Sequence, residues 1–144
     1  MSLTIQRAEP HELADCAALY DRVVREVFTW IQHEAPAAKF LDEAKVEEVY
    51  VAKRNGRIVG LASFYRPNNF LHSLYVDRDA RGQGVGSTLF AYIQFSADGP
   101  VSLKVEKLNH DAIAFYLARG LVIVDEGDPD APGGGWLRMA RPEP

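Results

Sequence analysis

The chain has 144 residues, of which 47% are hydrophobic and 25% charged, a composition typical of one globular domain and unlike that of a disordered chain. Its 20 acidic and 16 basic residues give a formal net charge of -4, and no basic run indicates binding to nucleic acid. A single cysteine cannot form an internal disulfide, and no stretch reaches the ~20 apolar residues that span a membrane. These features favour one cytoplasmic domain over residues 1–144.

The N-terminal third of the chain predicts a strand followed by two helices. Apolar and polar residues alternate over 3–7, which is typical of a strand. Between Leu13 and Ile31 the apolar residues recur at the three- and four-residue spacing of an amphipathic helix. We expect that helix to end before Pro36 and a shorter helix to contain Phe40.

A meander of three antiparallel strands is predicted next. Asn55-Gly56 can adopt positive φ at both positions, so this pair suits the type I′ turn of a hairpin between residues 47–54 and 57–64. Pro67-Asn68-Asn69 is another turn signal, and residues 70–76 are predicted to form the third strand.

The rest of the chain alternates between helices and strands. We predict a helix over 84–97, a strand over 101–105, a helix between the N-cap Asn109 and Gly120, and strands over 121–124 and 136–140. This order of elements implies a mixed α/β domain.

The most informative segment is Arg81-Gly82-Gln83-Gly84-Val85-Gly86, which joins the strand over 70–76 to the following helix. Its glycines allow a ligand to approach the backbone closely, and the first N–H groups of a helix attract an anion such as a pyrophosphate. The alternative is a flexible turn without a ligand. The segment lacks the lysine of a P-loop and the glycine spacing of a dinucleotide-binding loop, which disfavours ATP, GTP and NAD.

This segment resembles the pyrophosphate-binding motif Q/R-x-x-G-x-G/A of the GNAT superfamily of N-acetyltransferases. Residues 109–121 resemble that family's second motif, N-x-x-A-x-x-F-Y-x-x-x-G-F/L. The resemblance implies an α/β fold with a mixed, mostly antiparallel central sheet of about 6–7 strands flanked by about 4 helices. It also implies acetyl-CoA (coenzyme A) as the cofactor, bound by Leu74, Tyr75, Val76, Arg81, Gly82, Gln83, Gly84, Val85, Gly86, Ser87, Asn109, Ala112 and Tyr116.

Three residues are candidates for proton transfer. Tyr116 matches the position where the family commonly has its general acid, and a phenol of pKa ~10 can protonate a departing thiolate. His72, whose type has a pKa of ~6.5, and Glu106, which acts through water, are the candidates for the base that deprotonates the amine. The alternatives are an aromatic residue that only packs, a structural histidine and a solvated glutamate.

The acyl acceptor is predicted to be a primary amine of a small molecule. Aromatic residues and a histidine in the segments that select the substrate in this family predict its binding wall: Phe28, Trp30, Phe64, His72 and Trp136. The rival hypotheses are a catalytically silent coenzyme A sensor, an oxygen acceptor or another acyl group, and a nucleotide-binding module. No metal ligand motif is present. We expect a monomer or a homodimer, the latter formed through an exposed last strand.

Overall fold

The observed elements follow the predicted order. In this computed structural model, which describes residues 2–142, they are β1 (Leu3–Arg7), α1 (Leu13–Val27), α2 (Pro36–Glu43), β2 (Glu48–Arg54), β3 (Arg57–Tyr65), β4 (Phe70–Val76), α3 (Val85–Ser96), β5 (Ser102–Glu106), α4 (His110–Ala118), β6 (Val122–Gly127) and β7 (Trp136–Ala140). Short 3₁₀ turns flank several of them. The mixed α/β fold with seven strands and four α-helices is confirmed over these residues.

All strands belong to one sheet in the order β1-β2-β3-β4-β5-β7-β6. Every neighbouring pair is antiparallel except β4 and β5, which are parallel. These two strands pair only at Phe70 with Ser102 and at Leu71 with Leu103. Beyond Leu71 and Leu103 they diverge and leave an opening through the sheet, which we call the wedge.

Each face of the sheet packs against a different pair of helices. Leu89 and Phe90 of α3 and Tyr116 of α4 belong to the larger core cluster on one face. Leu19 of α1 and Phe40 of α2 belong to the second cluster on the other face. The wedge therefore connects the α3/α4 face with the α1/α2 face.

The local predictions with a clear turn or cap signal are confirmed. Asn55 and Gly56 have φ values of 55° and 75° in the β2–β3 hairpin. Asn109 caps α4 with its side chain, and Gly120 follows the helix with a φ of 91°. Cys16 is fully buried in the core.

The first helix is shorter than its apolar stripe suggested. α1 ends at Val27 because Phe28 leaves the helical region, with φ of -95° and ψ of 67°. The carbonyl of Phe28 then accepts a hydrogen bond from His33 Nε2 at 2.8 Å. Ile31 consequently lies outside the helix, in the connection to α2.

The expectation of an exposed last strand is wrong. β7 lies between β5 and β6, where both of its edges are paired. The exposed edge on that side belongs to β6, whose residues Val122, Ile123 and Val124 are 42%, 48% and 54% exposed. After α4 the chain first forms the outer strand β6, and β7 then pairs between β5 and β6.

Candidate active site

The loop between β4 and α3 forms an open backbone cradle. Gly82 and Gly84 have φ values of 77° and 82°, and no atom lies within 4 Å of a Cβ built on either residue. Gly84 is the N-cap of α3, so the first N–H groups of that helix have no acceptor within it. An anion can therefore approach these N–H groups without steric hindrance, which fits a pyrophosphate-bearing coenzyme.

Asp77 braces this loop, and the sequence patterns did not reveal it. Its side chain is only 10% exposed and accepts hydrogen bonds from Arg57 at 3.0 Å and Arg22 at 3.4 Å. Its backbone N–H donates to Val59 at 2.8 Å. Residues of α1 and β3 thus hold the start of the loop in place.

Arg81 connects the loop to α1, on the α1/α2 face of the sheet. Its Nε donates to the Val76 carbonyl at 3.2 Å, and its Nη2 lies 3.3 Å from Glu26 Oε2 on α1. Gln83 donates to the Asp79 carbonyl at 3.3 Å. The side chains of Arg81 and Gln83 therefore stabilise the loop, and its backbone remains available for a ligand.

α4 approaches the first turn of α3. A Cβ on Gly86 would contact the Phe115 ring at 3.5 Å, so the helices pack closely here. Arg119 stacks on that ring at 3.5 Å and donates to the Phe115 carbonyl at 2.9 Å and to Ser87 Oγ. The Asn109 side chain accepts from the Ala112 N–H at 3.3 Å, which fixes the start of α4.

One cavity of about 440 Å³ occupies the wedge. On the α3/α4 face its lining includes Leu74, Asn109, Ala112 and Tyr116. On the α1/α2 face the lining includes Tyr75, Phe28, His72, Lys104, Glu106 and Trp136. The structure thus brings all three candidate proton-transfer residues to one cavity, together with three of the five predicted acceptor contacts.

Two predicted acceptor contacts do not line the cavity. Phe64 is fully buried in the core, where the Arg66 guanidinium lies 5.3 Å from its ring centroid. Trp30 packs edge-on against Phe28 at 5.5 Å and beside Gly133, whose Cβ would lie 2.7 Å from the indole. Phe64 therefore belongs to the core. Trp30 packs against Phe28, which itself lines the cavity.

The environment of Tyr116 keeps its phenol protonated. The residue is only 7% exposed, and burial raises its pKa above the ordinary value of 10.0, an effect that Arg119 partly opposes. Its ring packs against Phe90 and Phe115 at centroid distances of 5.4 and 5.1 Å. A fixed, protonated phenol at a cavity wall has the form that a proton donor requires.

His72 contacts two carboxylates that are distant from it in sequence. Its Nδ1 lies 3.0 Å from both oxygens of Glu47 and 3.3 Å from Glu43 Oε2. The hydrogen bond with Glu47 raises the pKa of His72, while burial and Lys39 oppose that change. Glu43, Glu47 and His72 also form a group whose possible metal-ligand atoms lie within 4.8 Å of one another, although the direct contacts account for the arrangement without an ion.

Glu106 has different surroundings. Burial, with a contribution from Asp128, raises the pKa of the Glu106 carboxyl above 4.5. Asp128 accepts a hydrogen bond from Trp136 Nε1 at 3.0 Å, and Lys104 Nζ lies 4.2 Å from the centroid of the Trp136 ring. These contacts fix the aromatic wall beside Glu106.

The comparisons with known proteins agree with this geometry. The sequence pattern of the Acetyltransferase (GNAT) family matches residues 12–121. No curated protein gives a significant match.

Solved structures of similar shape cover almost the whole chain. The apo form of YjaB from Escherichia coli has a TM-score of 0.80 at 21% identity and covers 97% of both chains. The PaiA N-acetyltransferase from Thermoplasma acidophilum, in complex with coenzyme A, has a TM-score of 0.79 at 17% identity over 98% of this chain and 99% of that chain. Naa50 from Arabidopsis thaliana, in complex with the bisubstrate analogue CoA-Ac-MVNAL, has a TM-score of 0.78 at 18% identity over 99% and 100%. At these identities the likeness shows the fold.

Proposed function

This chain belongs to the GNAT family of acetyltransferases, and we propose that its acceptor is the primary amine of a small molecule. As a member of that family it is an acyltransferase that depends on acetyl-CoA. The observation that carries the proposed acceptor is the cavity in the wedge, whose volume of about 440 Å³ lies within the usual range for small-molecule sites. The described residues 2–142 contain no helix that could span a membrane.

We assign the coenzyme to the loop and the α3/α4 side of the wedge. Backbone N–H groups from Gly82 to Ser87 would hold the pyrophosphate, as the open cradle at Gly82 and Gly84 supports. The backbone of Leu74, Tyr75 and Val76 faces β3 on one edge and the wedge on the other, because β5 has already diverged. That free edge suits the amide groups of an extended pantetheine arm.

The proposed mechanism is direct attack with two proton transfers. Acetyl-CoA supplies the thioester whose carbonyl carbon the amine attacks. A bond forms from the amine nitrogen to that carbon, and the carbon–sulfur bond breaks. The amine proton passes to the base, and Tyr116 donates its phenolic proton to the sulfur. The products are an acetylated amine and a free thiol. The base then releases its proton to solvent and Tyr116 takes one up from solvent, which restores both groups.

The base must deprotonate the amine, because only the neutral form can attack the thioester. An alkyl amine with a pKa of ~10.4 is deprotonated about once in a few thousand molecules at neutral pH. His72 and Glu106 both line the acceptor side of the cavity and are the two candidates. Phe28 and Trp136 provide aromatic surface beside them, which suits a cationic amine before it is deprotonated.

A peptide N-terminus is a second candidate acceptor. The observation that favours it is the similar fold of Naa50, which was solved with a bisubstrate analogue that contains the residues MVNAL. The volume of the cavity in the wedge, about 440 Å³, favours the small molecule, because it lies within the usual range for small-molecule sites. Transfer to oxygen and transfer of a longer acyl group remain further alternatives.

A panel of acceptors tests this proposal. Purified protein is mixed with acetyl-CoA and with primary alkyl amines, amino acids, aminoglycoside-like compounds, alcohols and short peptides, and both thiol release and the acetylated product are measured. Small amines should give product, and peptides and alcohols should give much less. Preference for peptides would overturn the small-molecule acceptor. Binding of acetyl-CoA without any product would favour a catalytically silent coenzyme A module.

The cellular setting follows from composition. The chain has one cysteine, which is buried in the core and forms no disulfide within the chain. Because disulfides are typical of oxidising compartments, we propose a cytoplasmic location. We also propose that the protein is a monomer or a homodimer. The outer edge of β6, which has exposed apolar side chains and pairs with no strand among residues 2–142, is the surface on which we propose that a second copy adds a strand.

A further inference from the structure

We propose that Glu47, assisted by Glu43, positions His72 as the base that accepts the amine proton. This inference rests on the proposed function and deepens it, because it chooses between His72 and Glu106. Glu47 is a positioning residue here, since it acts through the imidazole. None of these three residues belongs to the glycine loop or to the second motif.

A β-bulge brings His72 to the carboxylates. The register between β3 and β4 changes from Ser63 opposite Ser73 to Phe64 opposite Leu71, so His72 is the extra residue without a partner on β3. A bulge changes the direction in which a side chain leaves its strand. Here it places the imidazole next to Glu43, the last residue of α2, and Glu47, which directly precedes β2.

The contacts determine which ring nitrogen is basic. Both oxygens of Glu47 lie 3.0 Å from Nδ1, and Glu43 Oε2 lies 3.3 Å from the same atom. A carboxylate only accepts hydrogen bonds, so the neutral imidazole carries its proton on Nδ1. Nε2 then has the free lone pair, and the ring lines the cavity in which the amine is expected. This is the logic of a histidine base oriented by a carboxylate.

The same carboxylates stabilise the imidazolium that forms when His72 accepts the proton. The Glu47 side chain is only 7% exposed and the His72 side chain is 36% exposed, so solvent reaches the pair from the imidazole side only. Lys39 of α2 is the charged group that opposes this effect. The net result favours the charged ring, and His72 therefore holds a proton more strongly than an isolated histidine does.

Glu106 is the poorer candidate on the same grounds. Its surroundings raise the carboxyl pKa only through burial and the nearby Asp128. No cation lies within ion-pair distance of Glu106 among residues 2–142. A carboxylate also begins from a much lower proton affinity than an imidazole, about two pKa units lower for the isolated groups. His72 is therefore the stronger acceptor for the amine proton.

The pH dependence of kcat/KM tests the positioning role. Wild type is compared with Glu47→Gln, which keeps an acceptor oxygen but removes the charge, and with Glu43→Gln and His72→Gln. Asp42→Asn is the matched control, because Asp42 lies on α2 beside Glu43 but is 78% exposed and pairs with Lys45. Affinity for acetyl-CoA is measured in parallel and should be the same in all variants.

We expect Glu47→Gln to move the acidic limb of the profile by about one pH unit to lower values, since a close opposite charge shifts a pKa by about 1–3 units. Glu43→Gln should move it less, Asp42→Asn should leave it unchanged, and His72→Gln should remove it. An acidic limb that stays in place in Glu47→Gln would overturn the proposal. A limb that persists in His72→Gln and disappears in Glu106→Gln would assign the base to Glu106.

Two further readouts separate this proposal from its alternatives. Nitrogen-15 NMR of the imidazoles, with His72→Gln for assignment, should show the His72 proton on Nδ1, and a proton on Nε2 in the neutral ring would contradict the geometry. A chelator should leave the wild-type profile unchanged, whereas a shift would mean that the three side chains bind a metal ion. If no amine is acetylated by the wild type, the proposed function fails, and the NMR result still judges the contact of His72 with Glu47.

Discussion

Replacing Gly84 by glutamate should abolish binding of acetyl-CoA and leave the fold intact. Gly84 has a φ of 82°, and a Cβ at this position meets no atom within 4 Å, so the substitution introduces backbone strain without a steric clash. A residue with a side chain in this conformation costs about 1–2 kcal/mol. The carboxylate then stands at the N-terminus of α3, where it repels and displaces the pyrophosphate.

A thermal-shift titration measures this effect. Acetyl-CoA at 100 times its Kd stabilises the wild type by about 2.7 kcal/mol. For a chain of this length that corresponds to a rise in Tm of roughly 8–11 °C. Gly84→Glu should begin at a Tm that is roughly 3–8 °C lower because of the strain. Its Tm should then not respond to the coenzyme.

Gly56→Glu is the matched control. Gly56 has a φ of 75° and also has no atom within 4 Å of a built Cβ, but it lies in the β2–β3 turn. It should lose a similar amount of stability and keep the full response to acetyl-CoA. If the Tm of Gly84→Glu still rises with the coenzyme as in the wild type, the loop is not the pyrophosphate site and the reasoning is refuted.

Three other substitutions test the catalytic, acceptor and stability arguments. Tyr116→Phe should lower kcat about 100-fold or more without changing the affinity for acetyl-CoA, and an unchanged kcat would remove Tyr116 from the acid role. Phe28→Ala should raise KM for the amine about tenfold, since an apolar pocket contact contributes ~1–3 kcal/mol, and an unchanged KM would locate the amine elsewhere. Glu12 is 5% exposed, and its hydrogen bond with the Glu9 backbone and its ion pair with Lys53 lower its pKa below 4.5. Its contribution to stability is therefore present above the unfolded pKa and lost as pH falls through the folded pKa. Glu12→Gln should lower the Tm at neutral pH, and thermal melts should show this difference shrinking as the pH is lowered through the folded pKa.

The parts of the fold that depend on local chemistry could be predicted from the sequence. Asn55-Gly56 specifies its turn because few other pairs tolerate positive φ at two successive positions. Asn109 caps α4 through its own side chain, and Gly120 ends the helix region with positive φ. In each case the physical cause lies within a few residues of its effect.

The lining of the cavity could not be derived in the same way. A period of two predicts which residues of a strand share a face only while the strand is regular, and the bulge at His72 interrupts the alternation in β4. Phe64 lies on β3, where it shares the α3/α4 face with Ala62 in the core, although its aromatic ring had suggested a place in the acceptor wall. Nothing in the local sequence marks the position of that bulge.

Long-range contacts were hidden for a second reason. Glu47 and His72 are separated by 25 residues in the chain. They meet only because the connection from α2 to β2 lies beside the bulge of β4 in the folded domain. Asp77 likewise gains Arg22 and Arg57 as partners from two different elements. No motif describes such groups, because each residue alone looks like an ordinary surface charge.

The wedge explains how the proposed acid and the proposed base can act together from opposite faces of the sheet. Tyr116 packs with the α3/α4 core, whereas His72 contacts Glu43 and Glu47 beside α2. In a continuous sheet the two side chains would be separated by a layer of backbone. Because β4 and β5 pair at only two positions, the backbone layer is open there and both residues line one cavity. The acceptor nitrogen can then reach the thioester carbon from the α1/α2 side while the coenzyme sulfur leaves on the α3/α4 side, each beside its own proposed proton-transfer group.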